Sequence, residues 1–296
     1  MNTNGHSKTI IITGSSSGFG LLTAKELATR GHNVVATMRD TTGRNRATAA
    51  ELAAFTAPNA RPISVVDLDV TSDASVAAAT ASIEAKHGRI DVLLNNAGVM
   101  NVGVTEAYSM EELKAQFEIN TFGPARMIRA VLPAMRRQRS GLLVNVSSLA
   151  GRLVFPFFGL YCASKFALEA LAEAYRYELS GFGIDSIIVE PGPFDSGLLP
   201  RSPAPRDQAI VGEYGDVGKV PEGMKAGFKQ MYESPTPPRP ADVSEAIVNL
   251  IEQTGKRPLR TVVMPKGIDF GVERLNTAVS AVQNEVMSTM QFTSMI

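Results

Sequence analysis

Residues 9–20 read Thr9-Ile-Ile-Ile-Thr-Gly-Ser-Ser-Ser-Gly-Phe-Gly20. The first five are a short β-branched run, which favours an extended strand. A glycine-rich turn follows, and then Leu21, Leu22, Ala24, Leu27 and Ala28 recur at helical spacing. Strand, turn and helix in that order allow two readings of the glycines. Bare backbone there lets a pyrophosphate approach the open N–H groups of a helix N-terminus; alternatively, it only lets the helix pack tightly against the strand.

Outward from this unit the alternation repeats. Apolar runs at Asn33–Thr37, Ile63–Val66, Val92–Asn95, Leu142–Val146, Ser186–Val189 and Thr261–Met264 read as strands, mostly separated by helical stretches. Such alternation predicts an α/β fold, one parallel sheet with helices on both faces. Length and the lack of a low-complexity linker predict a single domain over 1–296, with two elaborations. One is a proline- and glycine-rich insertion at 193–240, read as mobile, with a short helical candidate near Glu222–Tyr232. The other is a Met-rich helical tail at 266–296, after a helix pattern at Ala241–Gln253.

Composition narrows the partners. Hydrophobic residues make up 44% and charged residues 20%, as a sizeable buried core requires. Formal net charge is +0, so no global field recruits nucleic acid or an anionic membrane, and a small-molecule partner is expected. No apolar run reaches the roughly 18 residues that span a bilayer. Cys162 is the one cysteine, and the N-terminal apolar run is too short for a signal peptide, which predicts a cytoplasmic protein without an internal disulfide. His6, His32 and His87 lack the paired spacing of a zinc site, so no metal is expected.

Two further motifs carry chemistry. Asn95-Asn-Ala-Gly98 ends the fourth strand pattern, and Tyr161-Cys-Ala-Ser-Lys165 sets a phenol and an ammonium one helical turn apart on one face. With the glycine turn, in this order, they identify the chain as a member of the short-chain dehydrogenase/reductase family, over residues 8–265. Asp69-Val70, Asn120 in FEIN, Ser147-Ser148 in NVSS and Pro191-Gly192 strengthen the likeness, and YCASKFALEAL resembles the hydroxysteroid and retinol dehydrogenase branch.

The resemblance implies a Rossmann-type doubly wound fold and a nicotinamide dinucleotide. It implies that Gly14, Gly18 and Gly20 form the phosphate turn, flanked by Ser17 and Phe19, and that Asp69 and Val70 border the adenine. Asn95, Ala97, Gly98, Pro191 and Gly192 would line the cofactor, with Ser196, where the family more often has threonine, holding the carboxamide. An acid at the end of the second strand would select NADH. That position is Met38, and the adjacent Arg39 suits a 2′-phosphate, with Ser17 as a neutral contributor, so NADPH is expected. The alternative has Arg39 solvated and Asp40 turning back to the ribose, which gives NAD.

For catalysis the family pattern implies Tyr161 as proton donor, Lys165 as its electrostatic partner and ribose ligand, Ser148 orienting the carbonyl, and Asn120 holding a water toward Lys165. A free phenol titrates near ~10, and lowering it by about 3 units takes roughly 4 kcal/mol. One ammonium about 4 Å away at an effective dielectric near 20 supplies about that much. Leu153–Phe158, Phe194, Met224, Phe228 and Met231 suggest an apolar, bulky ketone or secondary alcohol, or else a core or subunit interface. The leading expectation is an NADPH-dependent carbonyl reductase forming a homodimer or homotetramer. The alternatives are an NAD-dependent alcohol or hydroxysteroid dehydrogenase and, in another class, a non-catalytic nucleotide sensor.

Overall fold

The β-branched run forms β1 (Thr9–Ile12), buried along its whole length, and the glycine turn leads into α1 (Gly18–Thr29). A computed structural model describes this and the rest of residues 7–295; Ile296 and residues 1–6, including His6 and the start of the stretch read for a signal peptide, lie outside them. The chain continues outward through β2 (Asn33–Met38), α2 (Arg46–Ala53), β3 (Ser64–Asp67) and α3 (Asp73–His87). It then returns to β4 (Val92–Asn95), α4 (Met110–Phe117), α5 (Gly123–Gln138), β5 (Gly141–Val146), α6 (Gly159–Leu179) and β6 (Ile184–Pro191). Beyond these come α7 (Gln208–Glu213), α8 (Asp216–Tyr232), α9 (Pro240–Glu252), β7 (Arg260–Val263) and α10 (Val272–Thr289).

Every strand pairing is parallel, in the order β3-β2-β1-β4-β5-β6-β7. Because strand side chains alternate, β1 feeds two cores. Ile10 and Ile12 join Val34, Leu94 and Val144 beneath α1 and α9, whereas Ile11 joins Val35, Leu93 and Leu143 beneath α3 and α5. The three isoleucines are fully buried, each contributing roughly 1.5–3 kcal/mol, so β1 anchors both layers. This is the single-domain, doubly wound architecture expected. Its direction of winding reverses between β1 and β4, which opens a crevice beyond their carboxyl ends.

Two expectations need correction. Region 193–240 contains two helices, and α8 begins six residues before the expected Glu222 and runs through Pro221. The missing proline N–H costs one bond near the helix start, where Val217 and Val220 are exposed and water can reach the freed carbonyl. β6 extends past the apolar core of its pattern to include Asp185 and Glu190, both partnered by arginines. Residues after 266 are attached to the body through buried Val272, Asn276 and Met287. Among the described residues no helix is long and apolar enough to cross a membrane.

Candidate active site

The glycine turn lines one wall of a cavity of about 1010 Å³ at the winding reversal. Gly14 has φ +69° and a Cβ there would lie 2.7 Å from the Cα of Ala97; Gly18 has φ +56° and its Cβ would lie 2.6 Å from the carbonyl oxygen of Ser196. Both need glycine for conformation and for space. At Gly20 a side chain would strike the Asn96 amide and the Gly14 carbonyl, so this glycine serves helix-to-turn packing and lies off the cavity. Phe19 meets Phe194 edge-on at 6.4 Å. Ser17, at the start of α1, makes no side-chain cap, leaving its hydroxyl to accept from Arg201 at 3.1 Å. A turn that tolerates only bare backbone, at an uncapped helix N-terminus beside a large crevice, fits a dinucleotide.

Asn95 is a correction. Its side chain is buried, donating to Asn145 Oδ1 at 2.9 Å, and it does not reach the cavity. Strand alternation turns it away, and the next residue takes the place: Asn96 Nδ2 donates to the carbonyls of Thr13 at 2.9 Å and Gly14 at 3.0 Å, fastening β4 to the glycine turn. Ala97 and Gly98 do line the crevice, as do Pro191, Gly192 and Ser196 opposite.

At the far end of the crevice Met38 terminates β2, buried, and Arg39, Arg44, Asp69 and Val70 surround the opening. Arg39 Nη1 lies 3.9 Å from Asp69 Oδ2. Asp40 has φ +53° and accepts from the Arg44 N–H at 2.9 Å, outside the cavity lining. Burial pushes the Asp69 carboxyl upward, but hydrogen bonds from Thr71 and the charges of Arg39 and Arg44 outweigh it and hold its pKa low. Arg44 carries no local signal, because only the backfolded turn brings it to the crevice beside Asp69.

The catalytic candidates converge from three elements. Ser148 follows β5 and accepts from the Ala150 N–H at 3.2 Å; Tyr161 and Lys165 stand one turn apart on α6, both buried. All three line the cavity. Asn120 sits just behind the lining, in a π-helical turn between α4 and α5, a feature frequent at functional sites. Its amide accepts from the Val99 N–H and donates to the Val99 carbonyl, both at 2.9 Å, and also donates to Ser164 Oγ at 3.1 Å. Gly98 lies between, with room for a Cβ only 3.4 Å from Asn120 Oδ1 and 3.9 Å from Lys165 Nζ.

Burial pushes the Tyr161 pKa up to about 12; a hydrogen bond with Ser148 pulls it down, and Cys162 adds to the rise. Burial pushes Lys165 down to about 8, opposed by Glu169. The expected lowering of the phenol by Lys165 is therefore not present in the protein alone. Lys165 Nζ donates to the Val146 carbonyl at 2.8 Å and stands 5.8 Å from the Tyr161 ring centre.

Beyond Tyr161 the cavity wall is apolar: Phe155, Phe158, Met224 and Phe228 line it, joined by Tyr232 and Phe270. Val154 points to solvent and Met231 lies off the lining. Cys162 is buried in the cluster that includes Phe158 and Leu199. Phe270, from the segment before α10, reaches the site by packing on Phe155 at 6.2 Å, and no local sequence signal foretells that contact.

The geometry has parallels among known proteins. The family model for short chain dehydrogenases matches residues 8–206. The chain is 38% identical over 267 residues to human retinol dehydrogenase 8, covering 86% of this chain and 80% of that one. It is 39% identical over 189 residues to the 3-ketodihydrosphingosine reductase of Bacteroides thetaiotaomicron, covering 64% of this chain and 65%, just under two thirds, of that relative's length. A crystal structure of a short-chain dehydrogenase from Streptomyces avermitilis superposes with a TM-score of 0.72 at 33% identity, covering 97% of both chains. The protein belongs to the short-chain dehydrogenase family. It is an NAD(P)-dependent oxidoreductase acting on alcohol or carbonyl groups.

Proposed function

We propose that the protein is an NADPH-dependent carbonyl reductase acting on an apolar, bulky ketone or the corresponding secondary alcohol. The observation that carries the cofactor choice is the end of β2, where Arg39 borders the crevice and the neighbouring carboxylate of Asp40 is occupied by the Arg44 N–H. The dinucleotide supplies or accepts the hydride. Gly14, Ser17, Gly18 and Phe19 form its phosphate turn, with Gly20 supporting that turn from behind; Arg39 meets the 2′-phosphate, Asp69 and Val70 border the adenine, and Ala97, Gly98, Pro191, Gly192 and Ser196 line the rest.

Tyr161, protonated at neutral pH, donates to the carbonyl oxygen, and Ser148 holds that oxygen in line. Lys165 binds the ribose hydroxyls. Asn120, fixed by Val99, orients a water that returns the proton by way of Lys165. The wall of Phe155, Phe158, Met224 and Phe228 favours a substrate with extended apolar surface. The second reading is an NAD-dependent alcohol or hydroxysteroid dehydrogenase; likeness to retinol dehydrogenase 8 supports an alcohol as its substrate.

The deciding assay follows nicotinamide absorbance with NADPH and NADH over aliphatic, aryl and polycyclic ketones, and the reverse with alcohols. Tyr161→Phe should lower turnover by roughly 10²–10⁴-fold with cofactor affinity retained. Turnover that survives in Tyr161→Phe removes the proton donor from this scheme, and a preference for NADH selects the second reading. Cofactor binding without turnover on any ketone or alcohol would favour a sensor. A cytoplasmic homo-oligomer assembled through the long helices completes the proposal; exposed Phe166 and Leu171 on α6 support it, and light scattering reads it directly.

A further inference from the structure

Arg201 was not among the residues expected at the site, and its position gives it a function. It lies in the loop after β6, yet its Nη2 donates across the mouth of the crevice to Ser17 Oγ at 3.1 Å, at the start of α1. The loop that carries it already touches the glycine turn, for a Cβ on Gly18 would lie 2.6 Å from the Ser196 carbonyl oxygen, and Phe194 packs edge-on against Phe19. The guanidinium is laid flat along its own loop: Gly197 adopts φ +74°, and a Cβ there would stand 3.1 Å from Arg201 Nη2 and 3.4 Å from Cζ.

Charge and place together mark Arg201 out. Arg39 has Asp69 as a partner, Arg206 lies 3.9 Å from Glu112 and Lys165 lies near Glu169, whereas among the described residues no carboxylate comes within 4.0 Å of the Arg201 guanidinium; Arg44 shares that lack, but it lines the crevice with Arg39 and Asp69, away from the glycine turn. The one hydrogen bond of Arg201 to another segment goes to a neutral hydroxyl at the edge of the phosphate turn. A planar fork of donors with no counter-ion, next to open helix N–H groups, matches an anion with two oxygens to offer.

We propose that Arg201 binds the diphosphate of the dinucleotide, exchanging Ser17 for phosphate oxygens and thereby fastening the loop after β6 over the bound cofactor. The proposal rests on dinucleotide binding at the glycine turn and not on the choice between NADPH and NADH. Positioning follows from the same contact: the loop carries Leu198 and Leu199, which line the cavity, so a guanidinium held on the diphosphate keeps that part of the substrate wall in place.

The test is a set of dissociation constants by titration calorimetry for NADPH, NADH and ADP-ribose, which has the diphosphate but neither nicotinamide nor 2′-phosphate. Wild type, Arg201→Gln and Arg201→Lys are compared at two salt concentrations. Arg201→Gln should weaken all three ligands by a common factor, roughly ten- to hundredfold, as expected for a lost charge-assisted hydrogen bond. Its salt dependence should be shallower, with Arg201→Lys recovering part of the loss. A loss confined to NADPH would assign the guanidinium to the 2′-phosphate and overturn the proposal, and so would unchanged constants for all three. If wild type binds none of the ligands, dinucleotide binding itself fails and takes this inference with it.

Discussion

Arg39 and Asp40 stand side by side at the end of β2, and backbone geometry decides which of them meets a cofactor. Asp40 occupies the left-handed region at φ +53° and its carboxylate accepts from the Arg44 N–H, while Asn45 Nδ2 donates to the Arg39 carbonyl at 2.6 Å and holds the turn closed. Arg39 keeps only a half-exposed contact with Asp69 at 3.9 Å, the kind of pair worth about 0–1 kcal/mol, so a 2′-phosphate can displace it at little cost. Arg39→Gln should therefore weaken NADPH by roughly ten- to hundredfold, about 1.5–3 kcal/mol, while NADH affinity holds, as fluorescence titration would read. Equal affinities before and after the change would leave cofactor choice to another residue. Met38→Asp tests the same choice from the neighbouring position: Met38 lines the crevice, so an acid there should weaken NADPH, and unchanged discrimination between the two cofactors would remove this end of β2 from the choice.

The elements that position the site differ in how far local sequence specifies them. β1, the glycine turn and α1 are legible because each signal is local: a β-branched run, glycines at fixed spacing and a helical apolar stripe. The same locality explains why Tyr161 and Lys165, four apart on α6, could be recognised as acting together. β6 was read too short because its ends, Asp185 and Glu190, look like loop residues until Arg176 and Arg260 arrive from elsewhere in the chain. The motif points to Asn95, yet Asn96 is the side chain at the crevice, since a one-residue step inverts the face of a strand. The turn between β1 and α1 also yields a test. Gly18→Ala must hold φ near +56° and push its Cβ into the Ser196 carbonyl, a backbone cost of order 1–3 kcal/mol. Calorimetry should show a lowered Tm, and dinucleotide binding should weaken in the same variant. A wild-type Tm and affinity would mean that the loop after β6 moves aside freely.

The whole molecule is tied together behind the site by a buried ionic cluster. Arg260 of β7 donates to Glu169 at 2.7 Å and Glu173 at 2.6 Å of α6, and lies 3.5 Å from Glu190 of β6; Asn276 of α10 donates to Glu190 at 2.6 Å and accepts from Arg152 at 2.8 Å. Three carboxyls face one guanidinium, and Arg260 is engaged most closely by the other two. Burial and the adjacent Glu169 charge therefore push Glu190 upward, to about 8, so that it keeps its proton at neutral pH. Protonated Glu190 can donate to Glu169, which satisfies two buried oxygens that otherwise have no partner, Glu169 Oε1 and Glu190 Oε1. The sign of the linkage follows. The folded state binds this proton more tightly than the unfolded state, whose carboxyl titrates near 4.5, so the contribution is complete at acid pH, declines above 4.5 and is gone above about 8. Glu190→Gln keeps a donor toward Glu169 and an acceptor for Asn276 without a titrating proton. Its Tm should track wild type near pH 4.5, exceed it increasingly as pH rises, and reach a constant difference above about pH 8. Parallel Tm curves for the two proteins across that window would mean that Glu190 is ionised throughout, leaving the junction of β6, β7, α6 and α10 held with one more negative charge.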